Sequence, residues 1–210
     1  MYRPALFRED RPKVLQALIR NHPLATLVTA GPRGLMANHI PFLLEATDAG
    51  NGILRAHLAR ANDQLAELHA GTEALVIFQG PDSYVTPSWY ASKVEHGKVV
   101  PTWNYATVHA WGTPIVHDDP VWLRDQIGAL TVSQEQRRAA PWAVEDAPEE
   151  FVAAQIRAIV GVEIPIARIE GKWKVSQNRP EQDRRSVVAG LSQDGDDVMA
   201  GLVAERGKAT

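Results

Sequence analysis

Four stretches of this chain carry more polar and aromatic chemistry than a core requires. The first is Ala37-Asn38-His39-Ile40-Pro41, where an amide and an imidazole sit inside a strand-like run. Asn and Pro are depleted in strands, and Pro there needs an edge or a bulge. A strand that turns its backbone and polar groups to a ligand meets this condition. A bulged strand with a satisfied histidine meets it equally. The second is His57-Leu58-Ala59-Arg60-Ala61-Asn62, where a strand end leads into a helix start. Unpaired N–H groups at a helix N-terminus and a guanidinium both favour an anion, which makes Arg60 a candidate phosphate ligand. The plainer reading has Asn62 as a cap and Arg60 as a surface residue.

The third stretch is Gly80 to Tyr90, followed by Val99 to Tyr105. Tyr84, Trp89, Tyr90 and Trp103 stand there among hydroxyl and amide groups, Thr102 and Asn104 included. Such rings sandwich a planar ligand or fill a core. The fourth is Glu170 to Pro180, in which Lys174, Ser176, Gln177, Asn178 and Arg179 form a dense set of donors. A solvated basic turn and a contact to an anion or carbonyl edge both fit it. No nucleophile–base triad is legible. His39, His57, His69 and His109 lack HxxxH or HExxH spacing, so no metal site is expected.

The elements that must position these residues follow from periodicity and punctuation. Asp10 and Pro12 open a helix with Val14, Leu15, Leu18 and Ile19 on one face, ending before Pro23. Leu24–Thr29 and Leu35–Leu44 read as a hairpin around Gly31-Pro32-Arg33-Gly34. Asp48–Gly52 is a second turn and Ile53–Leu58 a third strand. Asn62 opens a short helix with Leu65 and Leu68, and Ala74–Phe78 is a buried strand. Gly80–Lys93 reads as an ordered loop with a short strand inside. Thr102–Val116 reads as one long strand, and Asp119-Pro120 starts a helix with Leu123, Ile127 and Leu130 on one face. Pro148 opens another helix to about Ala158. Val160–Ile169 and Trp173–Ser176 read as strands around a Glu170-Gly171 turn. Pro180 opens a helical segment broken near Gly195.

Composition narrows the classes. The chain has 210 residues, 45% apolar and 22% charged, and this is enough for a substantial core. No cysteine is present, which removes disulfides, zinc–thiolate sites, iron–sulfur clusters and Cys nucleophiles. The absence of a long apolar run and of an apolar signal core leads to the expectation of a cytoplasmic protein with no membrane partner. Net charge is −3, with no sign of the basic face by which proteins neutralise DNA phosphates. Six tryptophans, the first at 89 and the last at 173, are a heavy aromatic load. Hairpins with sparse helices between them predict an antiparallel barrel with helical additions.

Taken together, Met1-Tyr2-x-Pro4, the Ala37–Pro41 and His57–Asn62 segments, Ser88-Trp89-Tyr90, Val100–Tyr105, Ile159-Val160-Gly161 and Lys174–Arg179 resemble the PaiB-like FMN-binding negative transcriptional regulators. The resemblance runs from Met1 to about Leu191. It implies a mainly β fold with helical additions (α+β), an FMN-binding split β-barrel like that of pyridoxamine-phosphate oxidase. It also implies a homodimer with FMN in the cleft between subunits. The cofactor-binding residues implied are Asn38, His39, Ile40 and Pro41 along the isoalloxazine, and His57, Leu58, Ala59, Arg60 and Asn62 at the phosphate. To these are added Trp89, Tyr90, Thr102, Trp103, Asn104, Lys174, Ser176, Gln177 and Asn178, some of them contributed by the second subunit. The barrel is expected to span 1–118 and 159–179, with a helical insertion at 119–158 and a helical segment at 180–210, all in one structural domain.

The function implied is a flavin-binding negative regulator of transcription. DNA is a possible partner by resemblance alone, since no helix-turn-helix with a basic second helix is readable. The alternative is an FMN-dependent oxidoreductase, or a haem-degrading split-barrel enzyme, acting on a small molecule.

Overall fold

The computed structural model describes residues 1–47 and 50–206, and Asp48 and Ala49, the first two residues of the expected Asp48–Gly52 turn, lie outside these. Among the described residues are β1 (Arg8–Glu9), α1 (Pro12–Asn21), β2 (Leu24–Gly31), β3 (Gly34–Pro41), β4 (Leu43–Glu45) and β5 (Ile53–Ala59). These are followed by α2 (Leu65–His69), β6 (Ala74–Val85), α3 (Ser92–His96), β7 (Thr102–Gly112) and β8 (Ile115–His117). The remainder are α4 (Pro120–Glu135), α5 (Glu149–Arg157), β9 (Ile159–Pro165), β10 (Arg168–Lys174), α6 (Glu181–Gln193) and α7 (Asp197–Arg206). No helix among the described residues is long and apolar enough to cross a membrane.

The chain divides into two compact units, one of 1–15, 79–108 and 170–210, the other of 16–78 and 109–169. In the first unit the strand order is β1–β10–β7–β6. β1 pairs antiparallel with β10, Glu9 opposite Gly171. A Cβ on Gly171 would lie 2.2 Å from Leu15 Cδ2 and 2.8 Å from the Glu9 carbonyl, so only glycine admits this approach. α6 and α7 join at Gly195, φ 83°, and bury Val187, Leu191, Met199 and Val203 against Val85, Tyr90 and Val175.

In the second unit β2 and β3 form the expected hairpin, and β2 also pairs with the first half of β6. A separate antiparallel sheet has the order β4–β5–β9–β8. α4 and α5 pack with Leu123, Val144, Val152 and Ile156 as a small core. Asp119 caps α4 by accepting from the Val121 N–H at 3.0 Å, with Pro120 in the first turn.

Four expected boundaries move. The Leu35–Leu44 strand breaks at Phe42, and Leu43-Leu44 turn to pair with β5 in the second sheet. The Thr102–Val116 strand ends at Gly112 before Thr113-Pro114 and resumes as β8. β6 runs on through the expected loop to Val85, because Ser83 and Val85 alternate into the core while Asp82 and Tyr84 face out. The break expected at Glu170-Gly171 falls instead at Ile166-Ala167, and both residues lie inside β10. Gly171 marks a close strand contact there, not a turn.

Candidate functional site

Two groups of the expected site residues are brought together, one in each unit. In the unit of 16–78 and 109–169, β3 pairs with β2, Leu27 opposite Asn38 and Thr26 opposite His39, and it lies at the end of its sheet. That edge accommodates Pro41. Ile40 is buried, while His39 is exposed. Asn38 Nδ2 donates to Gln64 Oε1 at 3.0 Å, and Asn62 Oδ1 accepts from the Gln64 backbone N–H at 2.9 Å. Gln64 is fully buried, and its Nε2 donates to the Leu27 carbonyl at 3.0 Å and to Thr29 Oγ1 at 3.1 Å. A buried amide whose hydrogen bonds are all made rigidifies its neighbours. Gln64 thereby ties the Arg60–Asn62 turn to the β2–β3 hairpin.

His57 and Arg60 leave this group. His57 Nδ1 lies 2.7 Å from Gln126 Oε1 of α4, so the ring donates to the amide. Leu58 is buried and Ala59 exposed at the strand end. Arg60 Nη1 and Nη2 donate to the two carboxylate oxygens of Asp118 at 2.9 and 2.5 Å. Its Nε and Nη2 also donate to the carbonyls of Arg157 and Ile159, both at 3.0 Å. The bond to Asp118 pushes the guanidinium pKa up and the carboxyl pKa down. Arg60 lines a cleft of about 730 Å³ whose floor includes Leu123 and Ile156 and whose rim includes Arg124 and Arg157.

In the unit of 1–15, 79–108 and 170–210, Lys174 Nζ donates to Thr102 Oγ1 and to the Trp103 carbonyl. Burial first, then the charges of Lys172 and Arg179, push the Lys174 ammonium pKa down. Asn104 is fully buried and exchanges hydrogen bonds with Ser176 Oγ at 3.0 and 3.2 Å. Ser176 has φ 64°, the left-handed region, and its carbonyl accepts from the Arg179 N–H to close a tight turn. Gln177 Nε2 donates to the Trp173 carbonyl at 2.6 Å, and its Oε1 accepts from the Val175 N–H at 2.7 Å. Asn178 is exposed. Trp103 is 55% exposed and meets Tyr84 edge-on, the ring centres 5.9 Å apart. Trp89 and Tyr90 do not join this surface. Trp89 packs on Gly190, and Tyr90 is buried among Val175, Val187 and Leu191 with the Arg179 guanidinium 4.4 Å from its ring centre.

Three residues in these groups escaped the sequence reading. Gln64 stands only two places beyond the Arg60–Asn62 motif, but polarity alone does not signal full burial. Gln126 of α4 is polar and was not among the residues of the expected apolar face, yet it is buried. Lys172 is 9% exposed, with its ammonium 5.2 Å from the Tyr105 ring centre and 5.7 Å from that of Tyr2. The signal available for it was the i, i+2 spacing of Lys172 and Lys174, which puts two cations on one face of a strand. No group of three or more His, Asp or Glu among the described residues is placed to hold a metal ion.

Comparison with known proteins adds to this geometry. Residues 1–168 match the family described as "Putative FMN-binding domain". An uncharacterised protein of Emericella nidulans is 36% identical over 99% of this chain and 98% of its own length. The protease synthase and sporulation protein PAI 2 of Bacillus subtilis is 27% identical over 92% of this chain and 90% of its own. Among solved structures, the FAD and heme binding protein from Mycobacterium smegmatis superposes with a TM-score of 0.59 at 19% identity, over 87% of this chain and 80% of that one. The fold is the antiparallel split β-barrel with helical additions.

Proposed function

Because the chain belongs to this FMN-binding domain family, with FMN as its cofactor, we propose that it is a homodimeric, flavin-responsive regulator that holds FMN between its subunits. One observation carries the reading: a half-exposed aromatic pair, Trp103 and Tyr84, stands beside Lys174 and Thr102, and the buried Asn104–Ser176 pair fixes the turn that follows Lys174. A planar ring covers exposed aromatic surface, and fixed donors hold its polar edge. A non-glycine residue in the left-handed region costs of order 1 kcal/mol, and such strain clusters at ligand clamps. Ser176 fits that pattern. FMN supplies redox chemistry when bound. The protein's residues orient the ring, hold the phosphate and keep water from the ring face. The name of the Bacillus subtilis relative, which refers to protease synthesis and sporulation, supports a regulatory role.

A second reading, an FMN-dependent oxidoreductase, is favoured by α7. α6 and α7 have the length and Gly turn of a helix-turn-helix, yet α7 carries Asp197 and Glu205 against the single cation Arg206. A helix that reads DNA needs cations facing phosphate.

Absorbance of the purified protein, anaerobic addition of NADPH and a gel shift separate the two. A stable flavin spectrum with a flavin-dependent shift of a promoter fragment or a regulatory partner supports the regulator. Rapid bleaching with turnover on oxygen or another acceptor supports the enzyme. A protein that binds no flavin sinks both.

A further inference from the structure

A second cleft, of about 330 Å³, opens within the unit of 16–78 and 109–169, between the end of α1 and the end of α4. Its floor is Phe42, Leu43 and Leu44, the segment by which the chain passes from β3 to the second sheet, and Phe42 and Leu44 are buried. Its rim carries Arg20 of α1 and Arg137 just beyond α4, with Asn21, Gln134 and Gln136. No Asp or Glu among the described residues lines it. Neither guanidinium has an ion pair or a hydrogen bond among the described residues. Arg124 in α4 and Arg138 just past it, by contrast, are paired with Glu149 and Glu135. The Gln134 and Gln136 amides make only long bonds, both 3.3 Å, to the Ser133 hydroxyl and carbonyl, and so keep donors to offer.

The two helix ends answer part of this charge. Each helix C-terminus carries roughly half a negative charge, so two guanidiniums against two such ends leave an excess of about one positive charge. Dipole neutralisation accounts for where the cations stand; it gives no reason for an apolar hollow between them. We propose that this cleft binds a small organic monoanion, a carboxylate carried on a single ring or a short branched chain. Guanidinium forks match carboxylate geometry, and the Phe42–Leu44 floor covers the apolar body. The volume lies at the low end for small-molecule sites, which suits a metabolite of that size and not a flavin. The cleft shares no residue with those named for FMN, and the inference stands without the flavin reading.

The test is calorimetric titration of the full-length protein with 3-phenylpropionate, and with its neutral amide as the control for charge. Wild type should bind the acid with a Kd of about 1 mM or tighter, within reach of a ligand of this size. The amide should bind about tenfold more weakly or worse, since it forfeits the charge-assisted contact. Arg20→Gln and Arg137→Gln should each weaken the acid by about tenfold for the same reason. Ala17 is an exposed α1 residue on the cleft wall. Ala17→Glu supplies the acid that the cleft lacks and should also cost about tenfold or more in affinity. Arg124→Gln, which alters the larger cleft between α4 and α5, should leave binding unchanged. No binding of the acid to wild type, equal affinity for acid and amide, full affinity in both the Arg20 and Arg137 variants, or loss in Arg124→Gln overturns the assignment.

Discussion

At the scale of single residues, the chain separates charges that are already paired from those that are not. Glu9 shows the paired state. It is 2% exposed, and its carboxylate accepts from Arg11 Nη2 at 2.7 Å and pairs with Arg206. Burial pushes the Glu9 pKa up, but the hydrogen bonds from Arg11 and Arg206 outweigh it and hold the pKa at about 2 against an ordinary 4.5. A folded-state pKa below the unfolded one stabilises the fold above the unfolded value, and that contribution fades as pH falls through the folded value. At about 1.4 kcal/mol per pH unit, the contribution is on the order of 3 kcal/mol. Stability measured by urea unfolding should therefore drop between pH 4.5 and 2, and Glu9→Gln should lower stability at pH 7 and flatten that drop. A variant with the wild-type pH profile would show that Glu9 does not anchor β1. Tyr90 shows the opposite lesson. Its type suggested a ligand contact, yet its ring serves the core and its hydroxyl is buried with no partner among the described residues.

At the scale of elements, one glycine lets α4 seat on the β5–β9–β8 sheet. Gly161 stands opposite both His57 and His117 in the ladder. The Trp122 ring drops onto the gap this leaves, so a Cβ on Gly161 would lie 2.2 Å from Trp122 Cζ3. The indole is also stacked on His117, ring centres 4.3 Å apart and planes 7° from parallel. With one face against a histidine and an edge against the sheet, it has little room to move. Gly161→Ala should cost about 1–3 kcal/mol by overpacking, or a few degrees in Tm for a chain of this size, and should change tryptophan fluorescence. An unchanged Tm would show that α4 shifts freely over the sheet. Periodicity placed α4 correctly, with Leu123 buried as expected. It did not foresee Gln126 on the buried side. That position is polar because His57 needs an acceptor there, a tertiary demand with no local signature.

At the scale of the whole molecule, two outcomes are expected. Sedimentation at micromolar concentration should give a dimer, with the ~2,000 Å² or more typical of obligate interfaces; a monomer would remove the proposed flavin cleft between subunits. Binding to random duplex DNA at physiological salt should be no tighter than roughly 10⁻⁴ M, the weak end of the non-specific range. Net charge is −3 per chain, Arg185 is paired with Glu181 on α6, and Arg138, just past the end of α4, is paired with Glu135. Submicromolar binding with a steep salt slope would reverse this and favour a direct repressor.

The sequence by itself determined several strands and helices, since alternation and capping are local: α1 from Pro12, the β2–β3 hairpin around Gly31–Gly34, and the α6–α7 break at Gly195 all follow from a few adjacent residues. It also determined the family, because the Asn38–Pro41, Arg60–Asn62, Thr102–Tyr105 and Lys174–Arg179 segments are specific in combination. Only the tertiary structure decided which charges remain free. Arg60 and Lys172 look alike in sequence, each a cation in or beside a strand end. One meets Asp118 from 58 residues away, and the other meets two tyrosine rings and no acid. Pairing depends on which distant segments the fold brings within a few ångströms, and no local pattern encodes that distance.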